Sequence, residues 1–192
     1  MDTREPLERF LIVCEGERTE PHYFECFRVP TRPNVVPYVV GTGYNTVALV
    51  QEALKLRQEA IVEKKEYDQV WCVFDRDSFP PEQFNAALIL AANEGLQVAY
   101  SNEAFELWYL LHFNYYDTGI SRQSYCDRLS SLLNHPYAKK SATVYAELEA
   151  HQGIAMRHAR RLLSQYDPPE PVRDNPSTTV HLLVEQLLRF TR

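Results

Sequence analysis

Phe10-Leu11-Ile12-Val13-Cys14-Glu15-Gly16-Glu17 is the stretch on which the fold turns. Its run of apolar residues is short and lacks polar alternation, which predicts a strand buried on both faces. The run stops at a carboxylate, a glycine turn and a second carboxylate. A second stretch repeats the pattern: Val70-Trp71-Cys72-Val73-Phe74 runs into Asp75-Arg76-Asp77. In open α/β sheets, ligands bind beyond the carboxyl ends of the strands. Acids gathered there repel one another near neutral pH unless something positive sits among them. A hard divalent cation with oxygen ligands is the simplest answer.

Outward from these two stretches, the chain alternates. Thr19 is placed to cap a helix with Pro21 in its first turn, running to about Arg28, where Pro30 and Pro33 stop it. Val35 to Val40 is a β-branched run, and Gly41-Thr42-Gly43 breaks the chain after it. Asn45 or Thr46 caps a long helix to about Lys64, with Val47, Val50, Leu54 and Ile61 at roughly helical spacing. After the strand at Val70, a helix is predicted from Pro81 to Asn93 with Gly95 as its stop, then a strand from Leu96 to Ser101. Such alternation predicts an α/β fold: a mostly parallel four-stranded sheet with helices on both faces.

Past Ser101 the character changes. Residues 103–113 form an aromatic, helical block, and helical spacing recurs over 121–134, 143–163 and 178–190. Residues 167–176 are too rich in proline for regular structure. The expected organisation is therefore an α/β core over 1–102 and a helical extension over 103–192 packed on it as one compact body. The aromatic block as a small separate lobe is the alternative.

Composition narrows the classes. A chain of 192 residues with 45% hydrophobic content makes one domain with a real core. A net charge of −6 argues against a generally basic surface for gripping nucleic acid, though not against a local basic groove. Cys14, Cys26, Cys72 and Cys126 show no CxxC and no finger-like pairing with histidine, which predicts reduced thiols in a cytoplasmic protein. Asp2 and Glu5 spoil a secretory leader, and no apolar run approaches membrane-spanning length.

If the second strand lies outside the first, strands one and three are neighbours, and Glu15, Asp75 and Asp77 converge on one sheet edge. Asp75 and Asp77 are two apart, so in extended backbone they point the same way. That suits one or two Mg²⁺ ions, with Glu17 joining through water or a second metal. Acids at strand ends also serve as turn formers and caps, and Glu17 also suits a solvent-facing helix start. Arg18 and Arg76 either clamp a phosphate or compensate the neighbouring acids. Glu103 and Glu106 lie one turn apart after strand four, and Glu106 is odd in an aromatic run because a buried unpaired charge is costly. His112 is either a base or a buried structural histidine; Trp108 and Tyr109 either stack on bases or fill the core. Lys139 and Lys140 are either a phosphate contact or a solvated pair. Arg157, His158, Arg160 and Arg161 form the densest basic stretch, either a phosphate strip or plain helix surface.

Val13-Cys14-Glu15-Gly16-Glu17-Arg18-Thr19-Glu20-Pro21, then Phe74-Asp75-Arg76-Asp77, then Ser101-Asn102 leading into Phe105-Glu106-Leu107-Trp108 and Leu111-His112-Phe113, resembles the RloB family, the AbiLii-like abortive-infection proteins. Asn175-Pro176-Ser177-Thr178-Thr179-Val180-His181 and the leucine-rich helix after it look like the family's closing signature. That family is similar to the Toprim group. The resemblance implies a Rossmann-like Toprim core in which Glu15 matches the group's glutamate and Asp75 and Asp77 its metal-binding pair. It implies a phosphodiester-cutting nuclease using Mg²⁺ or Mn²⁺, acting on RNA such as tRNA or on DNA, in antiviral defence beside an ABC-type ATPase partner. The chain has no Walker A pattern of its own, which fits a partner supplying any NTP hydrolysis. The rivals are a non-catalytic effector or adaptor docking on such an ATPase, and a phosphotransferase or phosphatase using Asp75 as nucleophile. Homo-oligomerisation stays open.

Overall fold

The computed structural model describes residues 8–27, 35–77, 80–141 and 143–191. Strands β1 (Glu8–Cys14), β2 (Val35–Gly41), β3 (Gln69–Asp75) and β4 (Gln97–Asn102) alternate with helices α1 (Thr19–Glu25), α2 (Thr46–Val62) and α3 (Pro81–Asn93). With a two-residue strand β5 (Ser177–Thr178), the sheet runs β2-β1-β3-β4-β5, the first four strands parallel. Strand two is therefore outermost and strands one and three are neighbours, as convergence of the acids requires. The arrangement is a Rossmann-like α/β core. No helix among the described residues is long and apolar enough to cross a membrane.

Alternation along each strand sorts its side chains onto two faces. Leu11, Val13, Cys72 and Phe74 pack with Leu49, Val50 and Ala53 of α2 and with Phe84, Ala87 and Ala91 of α3. Phe10, Ile12, Cys14, Trp71 and Val73 face the opposite way, into a larger cluster supplied by α1 and the C-terminal helices. Those helices are α4 (Glu106–Leu110), α5 (Arg122–Leu133), α6 (Val144–Leu148), α7 (Gln152–Leu163) and α8 (Val180–Thr191). Phe10 through Cys14 have no accessible surface, so β1 is covered on both faces, as its unbroken apolar run predicts.

The differences from expectation are local. The fifth strand, β5 (Ser177–Thr178), pairs antiparallel with Ser101 and Asn102, so α8 starts at Val180 rather than 178. The segment 143–163 breaks into α6, a single 3-10 turn at Glu149–His151, and α7. The aromatic block narrows to the five-residue α4. Thr19 does not cap α1: Arg18 holds the cap position without a side-chain bond, and the Thr19 hydroxyl donates to the Lys139 carbonyl at 2.9 Å. That bond ties the start of α1 to the chain beyond α5. Asn45 does cap α2, accepting from the Ala48 N–H at 3.3 Å. α1 ends at Glu25; Arg28, Pro30 and Pro33 lie outside the described residues.

Candidate active site

The acids meet where β1 and β3 end. Glu15 continues the ladder, its N–H donating to the Val73 carbonyl at 2.8 Å. Its side chain then laps across the next strand: Glu15 Oε2 accepts from the Asp75 N–H at 3.0 Å. Asp75 and Asp77 do point the same way, because one guanidinium nitrogen, Arg122 Nη2 on the first turn of α5, lies 3.2 Å from Asp75 Oδ2 and 3.7 Å from Asp77 Oδ2. Two further acids close in. Glu20, in the first turn of α1, is buried with its carboxylate against Gly16; a methyl group there would sit 2.0 Å from Glu20 Oε2. Glu106 opens α4 and is also buried; it accepts from the Tyr137 hydroxyl at 3.2 Å and lies 3.6 Å from Lys139 Nζ. These groups line one cavity of about 450 Å³.

Burial pushes the Glu15 carboxyl up to about 7. Repulsion from Asp77 and Glu20 adds to the rise, while the Asp75 N–H and Arg122 oppose it. Asp75 is driven well above the ordinary carboxylate range, first by burial and then by Glu20 and Glu106, against the pull of Arg122. Glu20 rises by burial and by Glu106, held back by backbone N–H groups and Lys139. The pocket thus crowds together more carboxyl groups than it has cations, and the crowding resists their ionisation.

The donors are of the kind a hard divalent ion takes, carboxylate oxygens at a cavity wall. Their spacing is not a ready-made cage. Among the described residues no three acidic, histidine or cysteine side chains stand close enough together to hold an ion. The place between Asp75 and Asp77 is taken by Arg122 instead.

A family model described as RloB-like protein matches residues 10–187, from inside β1 to α8. The chain belongs to the RloB-like family. No curated protein and no solved structure matches it. The matched segment of this RloB-like chain contains every residue of the cavity.

Glu17, Arg18, Glu106, Lys139 and Lys140 line the same cavity as Glu15, Asp75 and Asp77. Arg76 does not. Its side chain turns away, donating to the Val172 and Asp77 carbonyls and lying over the Phe84 ring. His112 is fully buried outside the cavity, edge-on to Trp108, with Nδ1 2.9 Å from the Trp108 carbonyl; burial lowers its pKa to about 4. Trp108 and Tyr109 are core residues. The basic stretch of α7 lies outside the cavity, with Arg157, Arg160 and Arg161 exposed on the helix surface. Arg160 pairs with Glu185 at 2.6 Å, Arg161 stacks on Tyr115 at 4.0 Å, and His158 Nδ1 lies 2.8 Å from the Leu111 carbonyl. Glu103 lies in a neighbouring hollow with Asn175. Sequence reasoning missed Arg122 and Glu20. Glu20 sits inside the quoted Glu15–Pro21 motif and was legible there; nothing marks Arg122 except its place after a capping serine.

Proposed function

We propose that this RloB-like chain is a divalent-metal-dependent nuclease of the Toprim type, cutting RNA such as tRNA, or DNA, with Mg²⁺ or Mn²⁺ as cofactor. The supporting observation is the Glu15 carboxylate bonded to the Asp75 N–H in a cavity that Asp77 also enters. A bound dication would offset the negative charge that grows on a phosphodiester as it is attacked and ease ionisation of the attacking water. Asp75 and Asp77 would hold it, with Glu15 either sharing it or moving a proton, and Glu17 at the cavity wall as an outer partner. In the second role Glu15, whose carboxyl titrates near neutral pH, takes a proton from the attacking oxygen or returns one to the leaving oxygen. Arg18, Lys139 and Lys140 offer flanking phosphates a positive wall on a protein of net charge −6. The defence role and the ABC-type ATPase partner follow from the resemblance alone.

The test is cleavage. Purified protein with Mn²⁺ is incubated with labelled plasmid, single-stranded DNA and total tRNA, alongside Glu15→Ala. Cutting of at least one substrate that Glu15→Ala loses supports the proposal; no cutting, or cutting that the variant retains, refutes it. The adaptor reading is favoured by Arg122 resting on both Asp75 and Asp77, and it predicts no cutting with any of the three substrates.

A further inference from the structure

We propose that Arg122 is an exchangeable counter-ion of the acidic cavity. It rests on Asp75 and Asp77 until a divalent cation takes their oxygens, and then binds a phosphate of the nucleic-acid substrate. This rests on the nuclease reading above.

The helix itself does not call for an arginine there. Arg122 is the first residue of α5, where the helix dipole disfavours a cation, and its first turn carries no acid to compensate. What Arg122 answers is an acid 47 positions earlier in the chain. Both contacts come from the same nitrogen, so neither is the two-nitrogen fork that seats a guanidinium firmly on a carboxylate. The side chain keeps 38% of its surface, leaving it free to swing into the cavity it lines. A guanidinium does not lose its proton, so a dication reaches these oxygens only if Arg122 moves. Lys139 repeats the arrangement at a different acid: Nζ stands 3.6 Å from Glu106 Oε1 with the side chain 49% exposed. Two cations resting on acids at the wall of one cavity are a ready supply of positive charge once a metal enters it.

Calorimetric titration of Mn²⁺ into the full chain tests the exchange, using wild type, Arg122→Gln, Arg122→Ala and Arg122→Lys. Arg157→Gln, exposed on α7, is the remote charge control. Arg122→Gln and Arg122→Ala are expected to bind Mn²⁺ about five- to tenfold more tightly than wild type. Arg122→Lys stays near wild type, and Arg157→Gln does not change. A short single-stranded DNA oligonucleotide, with Ca²⁺ in place of Mn²⁺, binds both neutral variants more weakly, with a salt dependence shallower by about one phosphate contact. Mn²⁺ affinity unchanged or weakened in the neutral variants overturns the exchange and leaves the nuclease reading standing. Undiminished oligonucleotide binding overturns the phosphate role. Absence of Mn²⁺ binding in every protein, wild type included, overturns both this proposal and the reading beneath it.

Discussion

A methyl group at Gly41 would lie 2.7 Å from the Gly16 carbonyl and 2.8 Å from Glu17 Cα, backbone atoms that cannot rotate aside. Gly41→Ala must therefore push the turn that carries Glu15 and Glu17. It is expected to cost about 1–3 kcal/mol in urea denaturation; an unchanged midpoint would show that the turn yields freely. Glu15 makes a pH prediction. Its carboxyl stands near 7 in the folded protein against an ordinary 4.5, so the folded state holds this proton more tightly than the unfolded chain. The associated stability is fully present below about 4.5 and is lost as pH climbs through about 7. Glu15→Gln keeps an acceptor for the Asp75 N–H but has no proton to lose. In metal-free buffer its stability in urea denaturation should gain on wild type as pH rises from about 4.5, then level off above about 7, with a plateau of about 3 kcal/mol. A gap that stays flat across this range contradicts the raised value. Glu15, Asp75 and Asp77 were legible because a buried apolar run that ends in an acid puts that acid at a sheet edge. Arg122 was not legible, because a lone arginine carries no trace of a partner brought near only by folding.

Helix α3 falls where sequence places it, Pro81 to Asn93, because Pro81 can open a helix and Gly95, at φ +71°, can leave one. Strand β5 could not be read this way: two residues have no periodicity, and their pairing is decided by Ser101 and Asn102 far earlier in the chain. Helices α6 and α7 looked continuous because one 3-10 turn barely disturbs helical spacing. Thr19 had the right type for a cap, but the Lys139 carbonyl claimed its hydroxyl. Caps that did form give direct tests. Ser121 accepts from the Ser124 N–H at 3.2 Å and starts the helix that presents Arg122. Ser121→Ala is expected to cost about 1 kcal/mol by chemical denaturation. A loss below a few tenths would mean that water caps α5 equally well.

The sheet has a different partner on each face: α2 and α3 on one, α1 and the C-terminal helices on the other. Helix α8 contributes Leu183, Val184 and Leu187, all without accessible surface, to the cluster that also holds Phe10 and Trp71. Leu183→Ala should therefore destabilise the whole fold by about 2–5 kcal/mol, read as one cooperative shift in fluorescence and circular dichroism together. Separate transitions would mean that the C-terminal helices melt on their own. This two-sided packing fixes β1 beside β3 and so holds Glu15 against Asp75 at an edge crowded with carboxyl groups. That crowding is what the proposed cation would relieve, and it can be measured without a substrate. Mn²⁺ is titrated calorimetrically into wild type, Asp75→Ala and Asp77→Ala at neutral pH. Saturable binding to wild type that both variants lose is the expected result; no binding to wild type, or binding that survives both substitutions, would mean that these carboxylates hold no cation.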